Sequence, residues 1–205
     1  MTPGMNLKAG QFFKSRPFSP IDPLLLCLFI LQGALMPLCK AMAAEDEIWV
    51  LVDTGALTLA VMQGDALLRQ YDNIAIGSNG PTLAKLVSDE TTPLGEFKIS
   101  GINPSSRYHL FMLLDYPTME HVARALEDGR ISVEDYVALS NAWLAGRPPP
   151  QDTPLGGYLG IHGVGKGSME IHGSVNWTDG CIAVTNEEMD ELAGWIGVGT
   201  RVSVR

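Results

Sequence analysis

Cysteine is scarce in this sequence, with three residues in 205. Cys27, Cys39 and Cys181 lie too far apart to form a zinc or iron–sulfur ligand set, and no His-Glu-x-x-His segment supplies another. Positive charge is scarce as well. The 14 Lys and Arg stand against 23 Asp and Glu, for a net charge of −9. No basic cluster is long enough to neutralise a run of phosphates, which excludes a nucleic-acid partner. There is no internal repeat beyond a doubled Ile-His-Gly, and no apolar run reaches the twenty or so residues that a membrane-crossing helix needs. With 46% apolar residues the chain can bury one good core, so a single domain is expected once any N-terminal segment is removed.

Residues 1–44 read as an export signal. Lys8, Lys14 and Arg16 make a positive start, Leu24 to Leu38 an apolar run, and Ala41-Met42-Ala43-Ala44 offers the small residues that a signal peptidase prefers. Cleavage after Ala43 or Ala44 would leave a domain of residues 45–205 in the periplasm or cell envelope. A retained N-terminal anchor, with transient membrane association, is the alternative. A lipoprotein anchor is disfavoured because Cys27 follows Leu26 and Cys39 follows Leu38. Removal of the segment takes away four of the basic residues and one of the acidic ones, so the exported domain carries a net charge of −12. It also leaves Cys181 as the lone thiol. In an oxidising compartment such a residue is either buried and inert or kept for its reactivity.

The rest of the chain is mainly β in pattern. Ile48 to Asp53 and Leu57 to Met62 flank Thr54-Gly55 as a hairpin, and Arg69 to Ile76 gives a third strand. Thr91 to Ile99, Tyr108 to Leu114 and Val198 to Val204 read as further strands, as do the short runs Leu159 to His162 and Met169 to His172. Strands at this spacing predict an antiparallel β-sandwich or barrel. Between them the period changes to helical over residues 118–146: Met119, Val122, Ala123 and Leu126 form one stripe, Asp128-Gly129 stops it, and Ser132 opens a second helix. This inserted helical hairpin is expected to be a packing element rather than a substrate lid. Thr185, followed by Glu187 and Glu188, caps a helix close behind Cys181.

The chemistry concentrates between residues 160 and 184. His162-Gly163 and His172-Gly173 precede Gly180-Cys181. A thiol attacks as its thiolate and needs a base, which histidine supplies near neutral pH. Gly180 leaves room for a substrate carbonyl to approach the backbone, where amide N–H groups can face a developing oxyanion. The competing reading of Cys181 is a structural core thiol. Both His162 and His172 are candidates for the base, while His109 reads as structural.

These residues carry a resemblance. Thr92-Pro93-Leu94-Gly95-Glu96-Phe97, Tyr108-His109, Asp115-Tyr116-Pro117, Gly160-Ile161-His162-Gly163 and Trp177-Thr178-Asp179-Gly180-Cys181-Ile182-Ala183 resemble the L,D-transpeptidase catalytic-domain (YkuD-like) family, in a Trp-Thr-x-Gly-Cys-Ile-Ala form. The resemblance implies that Cys181 is the nucleophile, and His162, 19 positions upstream, the general base, with His172 as the competitor. It implies a substrate-binding and oxyanion region at Gly180, Gly163, Thr178 and Asp179, no metal and no organic cofactor. It further implies acyl transfer through a cysteine thioester on peptidoglycan stem peptides. L,D-carboxypeptidase or other peptidoglycan hydrolysis, and non-catalytic cell-wall binding, are the alternatives. Asp179 stands where the family usually has histidine and Ala183 where it usually has arginine, so a stem-peptide carboxylate must be held by something else, or the substrate differs. The oligomeric state is not indicated by the sequence.

Overall fold

The computed structural model describes residues 47–205. The export-signal reading of residues 1–44, with Cys27 and Cys39, lies outside the described residues. β1 (Ile48–Asp53) and β2 (Thr58–Gln63) form the expected hairpin. The Asp53 carboxylate accepts the N–H groups of Gly55 and Ala56 at 3.1 and 2.9 Å, an Asx turn that fixes where the chain reverses. β3 (Ala66–Asp72) pairs with the other edge of β2. It ends four residues before the predicted strand because Asn73 takes a positive φ of 56°, which no strand continues through. The freed segment crosses to another part of the molecule, where Ala75 bridges Ala183.

β4 (Pro81–Thr82) and β5 (Thr92–Pro93) make a small parallel pair that ties the base of the 83–91 loop. The long β6 (Gly95–Ser106) then turns back into β7 (His109–Leu114). The helical hairpin follows as α1 (Met119–Glu127) and α2 (Val133–Leu144). Ser132 and Asp135 form a reciprocal capping box at the start of α2, a device that contributes about 1 kcal/mol to a helix end. α1 buries His121, Val122 and Ala125, and α2 buries Leu139 and Ala142. Hydrogen bonds tie the hairpin to the rest of the domain, among them Trp143 Nε1–H to the Pro117 carbonyl at 3.0 Å. His121 Nε2–H donates to the Leu94 carbonyl at 3.0 Å, and Arg130 Nη1 to the Lys85 carbonyl at 3.1 Å.

β8 (Gly160–His162), α3 (Met169–His172), β9 (Ile182–Ala183), α4 (Asn186–Leu192) and β10 (Arg201–Val204) complete the order. Met169 to His172 is therefore helical where alternation suggested a strand. The Ser168 hydroxyl accepts the Ile171 N–H and turns the chain before it can extend. β10 starts later than residue 198 because Gly199, at a φ of 92°, and Thr200 still belong to a turn.

The eight-stranded sheet runs β3-β2-β1-β10-β6-β7-β8-β9. Its pairings are mostly antiparallel, with two exceptions: the C-terminal β10 inserts between β1 and β6 and lies parallel to β1, and β9 lies parallel to β8. One continuous core joins Val50, Val52, Leu59 and Val61 to Met112, Leu114, Ile161 and Ile182, with Cys181 packed against its edge. Each large aliphatic side chain so buried contributes about 1.5–3 kcal/mol before the entropy of ordering it is counted.

Candidate active site

The parallel pairing of β8 with β9 sets the geometry of the site. Its register matches Ile161 with Ile182 and His162 with Ala183. One residue further back, Cys181 falls opposite Gly160. Strand alternation then puts His162 and Cys181 on the same side of the sheet, with Cα atoms roughly 8 Å apart on ideal strand spacing. A Cβ at position 160 would strike the Met112 carbonyl oxygen and the Phe111 ring, so glycine is required there, and the Gly160 N–H hydrogen-bonds to the sulfur. On its other side the thiol lies 3.7 Å from the Tyr158 carbonyl.

His162 is buried and held on every side. Its ring stacks on Tyr108 at 4.4 Å and Phe111 at 5.7 Å, and Trp177 meets it edge-on at 5.8 Å. Nδ1–H donates to the Gly163 carbonyl at 2.7 Å. That bond assigns the proton of the neutral ring to Nδ1 and leaves the Nε2 lone pair to accept another. Burial depresses the His162 pKa. The Gly163 carbonyl opposes the fall, while the positive charges of His172 and Arg107 add to it. The imidazole is therefore neutral, and competent as a base, throughout the neutral range.

The thiol departs from expectation. Burial pushes Cys181 up to about 11, and the Asp179 carboxylate adds to the rise, while the Gly160 N–H and the Lys85 ammonium pull it down. Burial thus raises the thiol and lowers the imidazole, which sets a protonated nucleophile beside an unprotonated base. Such a pair reacts by general-base catalysis, with the thiol losing its proton as it attacks.

His172 is brought close to His162 but serves a different face. Trp177 lies between them, and His172 lines a separate cavity of about 540 Å3 with Ile74, Ser78 and Asn176. His109 pairs with the exposed Asp190 at 2.7 Å, in keeping with a structural role.

Three of the residues expected to bind substrate or an oxyanion are instead committed to the backbone. Thr178 is 4% exposed; its hydroxyl donates to the Cys181 carbonyl at 2.7 Å and accepts the Gly180 N–H at 3.1 Å. The Gly180 amide is thereby spent, and its carbonyl accepts the Thr92 hydroxyl at 3.0 Å. Gly180 holds a φ of 124°, and a Cβ there would strike the Thr91 carbonyl oxygen. Gly163 donates its N–H to the Leu110 carbonyl at 3.3 Å, and a Cβ on it would meet Asn186 Oδ1 at 2.6 Å. These three shape the turn and its packing. Asp179, by contrast, is exposed and lines a cavity of about 690 Å3 beside the cysteine, together with Tyr158, Leu159, Glu90, Asp152 and Lys85. No residue of α1 or α2 lines it, consistent with a packing role for the hairpin. Ala183, where an arginine was the usual residue, is fully buried in β9.

Two partners of the site were not legible beforehand. Trp177 separates the two histidines, although its aromatic bulk beside the Cys181 motif was a visible sign. Lys85 is 3% exposed, and a lysine in the apolar run Leu83-Ala84-Lys85-Leu86-Val87 was the only signal it gave. Among the described residues no group of His, Cys, Asp and Glu is arranged to hold a metal ion.

Solved structures share this fold. Over 78% of the chain it superposes on the helical cell shape determining protein Pgp2 from Campylobacter jejuni, with a TM-score of 0.52 and 19% identity, covering 47% of that chain. Bd1075 from Bdellovibrio bacteriovorus matches over 80% of the chain at a TM-score of 0.47 and 20% identity, covering 49% of its own length. An L,D-transpeptidase C442S mutant from Enterococcus faecium matches over 78% at 0.43 and 14%, covering 50% of its own. The chain thus spans about half the length of these structures. No curated protein matches the sequence significantly. The family model for the L,D-transpeptidase catalytic domain, YkuD, matches residues 47–204. That span takes in every strand of the eight-stranded sheet and both halves of the His162–Cys181 pair, and on it the chain belongs to the L,D-transpeptidase catalytic-domain family.

Proposed function

We propose that this protein is an exported cysteine acyltransferase acting on peptidoglycan stem peptides. The observation that carries the reading is the shared sheet face of His162 and Cys181, with the His162 proton fixed on Nδ1 by Gly163. In the reaction, Cys181 Sγ attacks the carbonyl carbon of the L,D-peptide bond that follows the third stem residue, and its proton passes to His162 Nε2. Collapse of the tetrahedral intermediate expels D-alanine, whose amine takes that proton, and leaves a thioester on Cys181. An acceptor amine then attacks the thioester, gives a proton to His162, and departs as the new amide while the thiol is restored. Water in place of the amine yields the carboxypeptidase reaction.

The nearby cavity of about 690 Å3 is large enough for a short peptide segment, and its carboxylates suit an amine-bearing acceptor. The lone thiol and the N-terminal segment of residues 1–44 support export, since a reactive cysteine in an oxidising compartment is safe only without a disulfide partner. Incubation of the purified protein with a disaccharide tetrapeptide, followed by intact-mass and peptide mass spectrometry, tests the proposal. The expected result is an acyl adduct on Cys181 equal to the substrate less D-alanine, absent in Cys181→Ala. Adding an amine acceptor separates transfer from hydrolysis. A protein that binds the substrate and never acquires the adduct is a cell-wall binding domain.

A further inference from the structure

A lysine whose side chain is 3% exposed demands a reason, because burying an ammonium is costly unless something nearby uses its charge. Lys85 Nζ lies 2.8 Å from Asp89 Oδ1. Asp89 in turn accepts the N–H groups of Leu86 and Thr91 at 2.6 and 2.9 Å, so the pair organises the whole 83–91 loop. Arg130, between α1 and α2, holds the Lys85 carbonyl from outside. The loop is also pressed directly against the cysteine turn. A Cβ on Gly180 would meet the Thr91 carbonyl oxygen and would stand 3.2 Å from Lys85 Nζ. The ammonium therefore lies against the residue that precedes the nucleophile, and Lys85 and Asp179 line the same cavity.

The geometry points to Lys85 as a positioning residue of the active site: clamped by Asp89 beneath Gly180, its fixed positive charge stabilises the sulfur of Cys181 as it becomes anionic, against the opposing charge of Asp179. The inference rests on Cys181 being the nucleophile. The groups around the sulfur are few. Lys85, paired with Asp89, comes from the 83–91 loop, Asp179 from the cysteine turn and His162 from β8, while Tyr158, Asp152 and Glu90 line the cavity. Of these, Lys85 and Asp179 are the charges whose fields act on the thiol, with opposite signs. The Lys85 charge opposes the rise that burial imposes on the thiol. A buried cation costs nothing to reorient at the moment of attack, and in a low-dielectric site it acts on the developing charge more strongly than solvent does.

The test reads the thiol alone and uses no peptidoglycan substrate, so it stands or falls separately from the acyltransferase reaction. Iodoacetamide, which is neutral and is not steered by charge, is reacted with the full-length protein at several pH values below 10, and the rate is followed on the Cys181 peptide by mass spectrometry. Removal of a unit charge within about 10 Å, at an effective dielectric near 20, lowers the thiolate fraction about tenfold. Lys85→Met is expected to slow alkylation by that factor at every pH, and Asp179→Asn to speed it. Since Lys85→Met strips Asp89 of its partner and can unfold the loop, Lys85→Gln, whose amide still donates to Asp89, is measured beside it and must show the same slowing. A merely structural lysine predicts the reverse: a loosened loop exposes the sulfur and raises the rate. A folded Lys85→Gln protein that alkylates at or above the parental rate overturns the proposal.

Discussion

The indole Nε1–H of Trp177 donates to Nδ1 of His172 at 3.3 Å. With its Nδ1 lone pair engaged, neutral His172 carries its proton on Nε2, whereas His162 carries its proton on Nδ1 and keeps Nε2 open. The two rings are therefore opposite tautomers, and only His162 presents a free lone pair. His162→Ala is expected to cut the rate of thioester formation on Cys181 by roughly 100-fold or more, the usual yield of a positioned base. His172→Ala is expected to cost much less, through loosening of Trp177. Single-turnover formation of the acyl adduct measures both, and an equal loss in the two variants would mean that the base is shared or misassigned.

The depressed pKa of His162 fixes the acid limb of activity. A base is lost when it takes up a proton, and burial has moved that event below the ordinary histidine value of about 6.5. kcat/KM for acyl transfer should hold level from neutral pH down past about 6.5 and fall only at lower pH. On the alkaline side, alkylation of the free enzyme should climb toward a midpoint of about 11. A rate that saturates below about 8.5, the value for an ordinary thiol, would show a preformed thiolate in place of the neutral pair.

Much of the fold was readable because it depends on local chemistry. The hairpin of β1 and β2 follows from alternation ended by Asp53-Thr54-Gly55, and α2 from the Ser132–Asp135 box. What escaped depends on contacts distant in sequence. That β10 lies between β1 and β6 is set by pairing across some 150 residues, which no window of sequence contains. Met169-Glu170-Ile171-His172 alternates like a strand, and only the Ser168 cap turns it into a helix. At the site, Cys181, His162 and His172 were singled out by type and spacing, and the fold brings them near one another. The duties of Thr178, Gly163 and Gly180 were not, since a hydroxyl or an amide is available to substrate only if the backbone has not already taken it. Burial of Lys85 is a tertiary fact of the same kind.

Thr178 supplies a direct check on the turn. Its hydroxyl is both donor to the Cys181 carbonyl and acceptor from Gly180, at 4% exposure. Thr178→Val keeps the shape and orphans both backbone groups, which should destabilise the fold by about 1–3 kcal/mol. Thr178→Ser restores both bonds and should recover most of the loss. Chemical denaturation gives the stability. Alongside it, a fall in kcat for Thr178→Val with little change in KM would show that the turn aims the sulfur rather than binding substrate.

Buried histidine also predicts how the domain fails in acid. His121 accepts the Thr118 hydroxyl at Nδ1 (2.7 Å) and donates from Nε2 to the Leu94 carbonyl (3.0 Å), so its neutral form fills every bond that the site offers. Burial lowers its pKa, as it does those of His162 and His172. The sign follows directly. As pH drops through about 6.5 the unfolded chain binds protons that the native state refuses, so stability declines by up to about 1.4 kcal/mol per pH unit for each such histidine, until each native ring is itself protonated. The carboxylate of Asp89, held down by its hydrogen bonds and by Lys85, takes effect at still lower pH and does not confuse this window. Urea denaturation between pH 7.5 and 5 should show the decline, and His121→Gln, whose amide can still donate to Leu94, should make it shallower by the share of that one histidine. A slope unchanged by that substitution would place the acid sensitivity elsewhere.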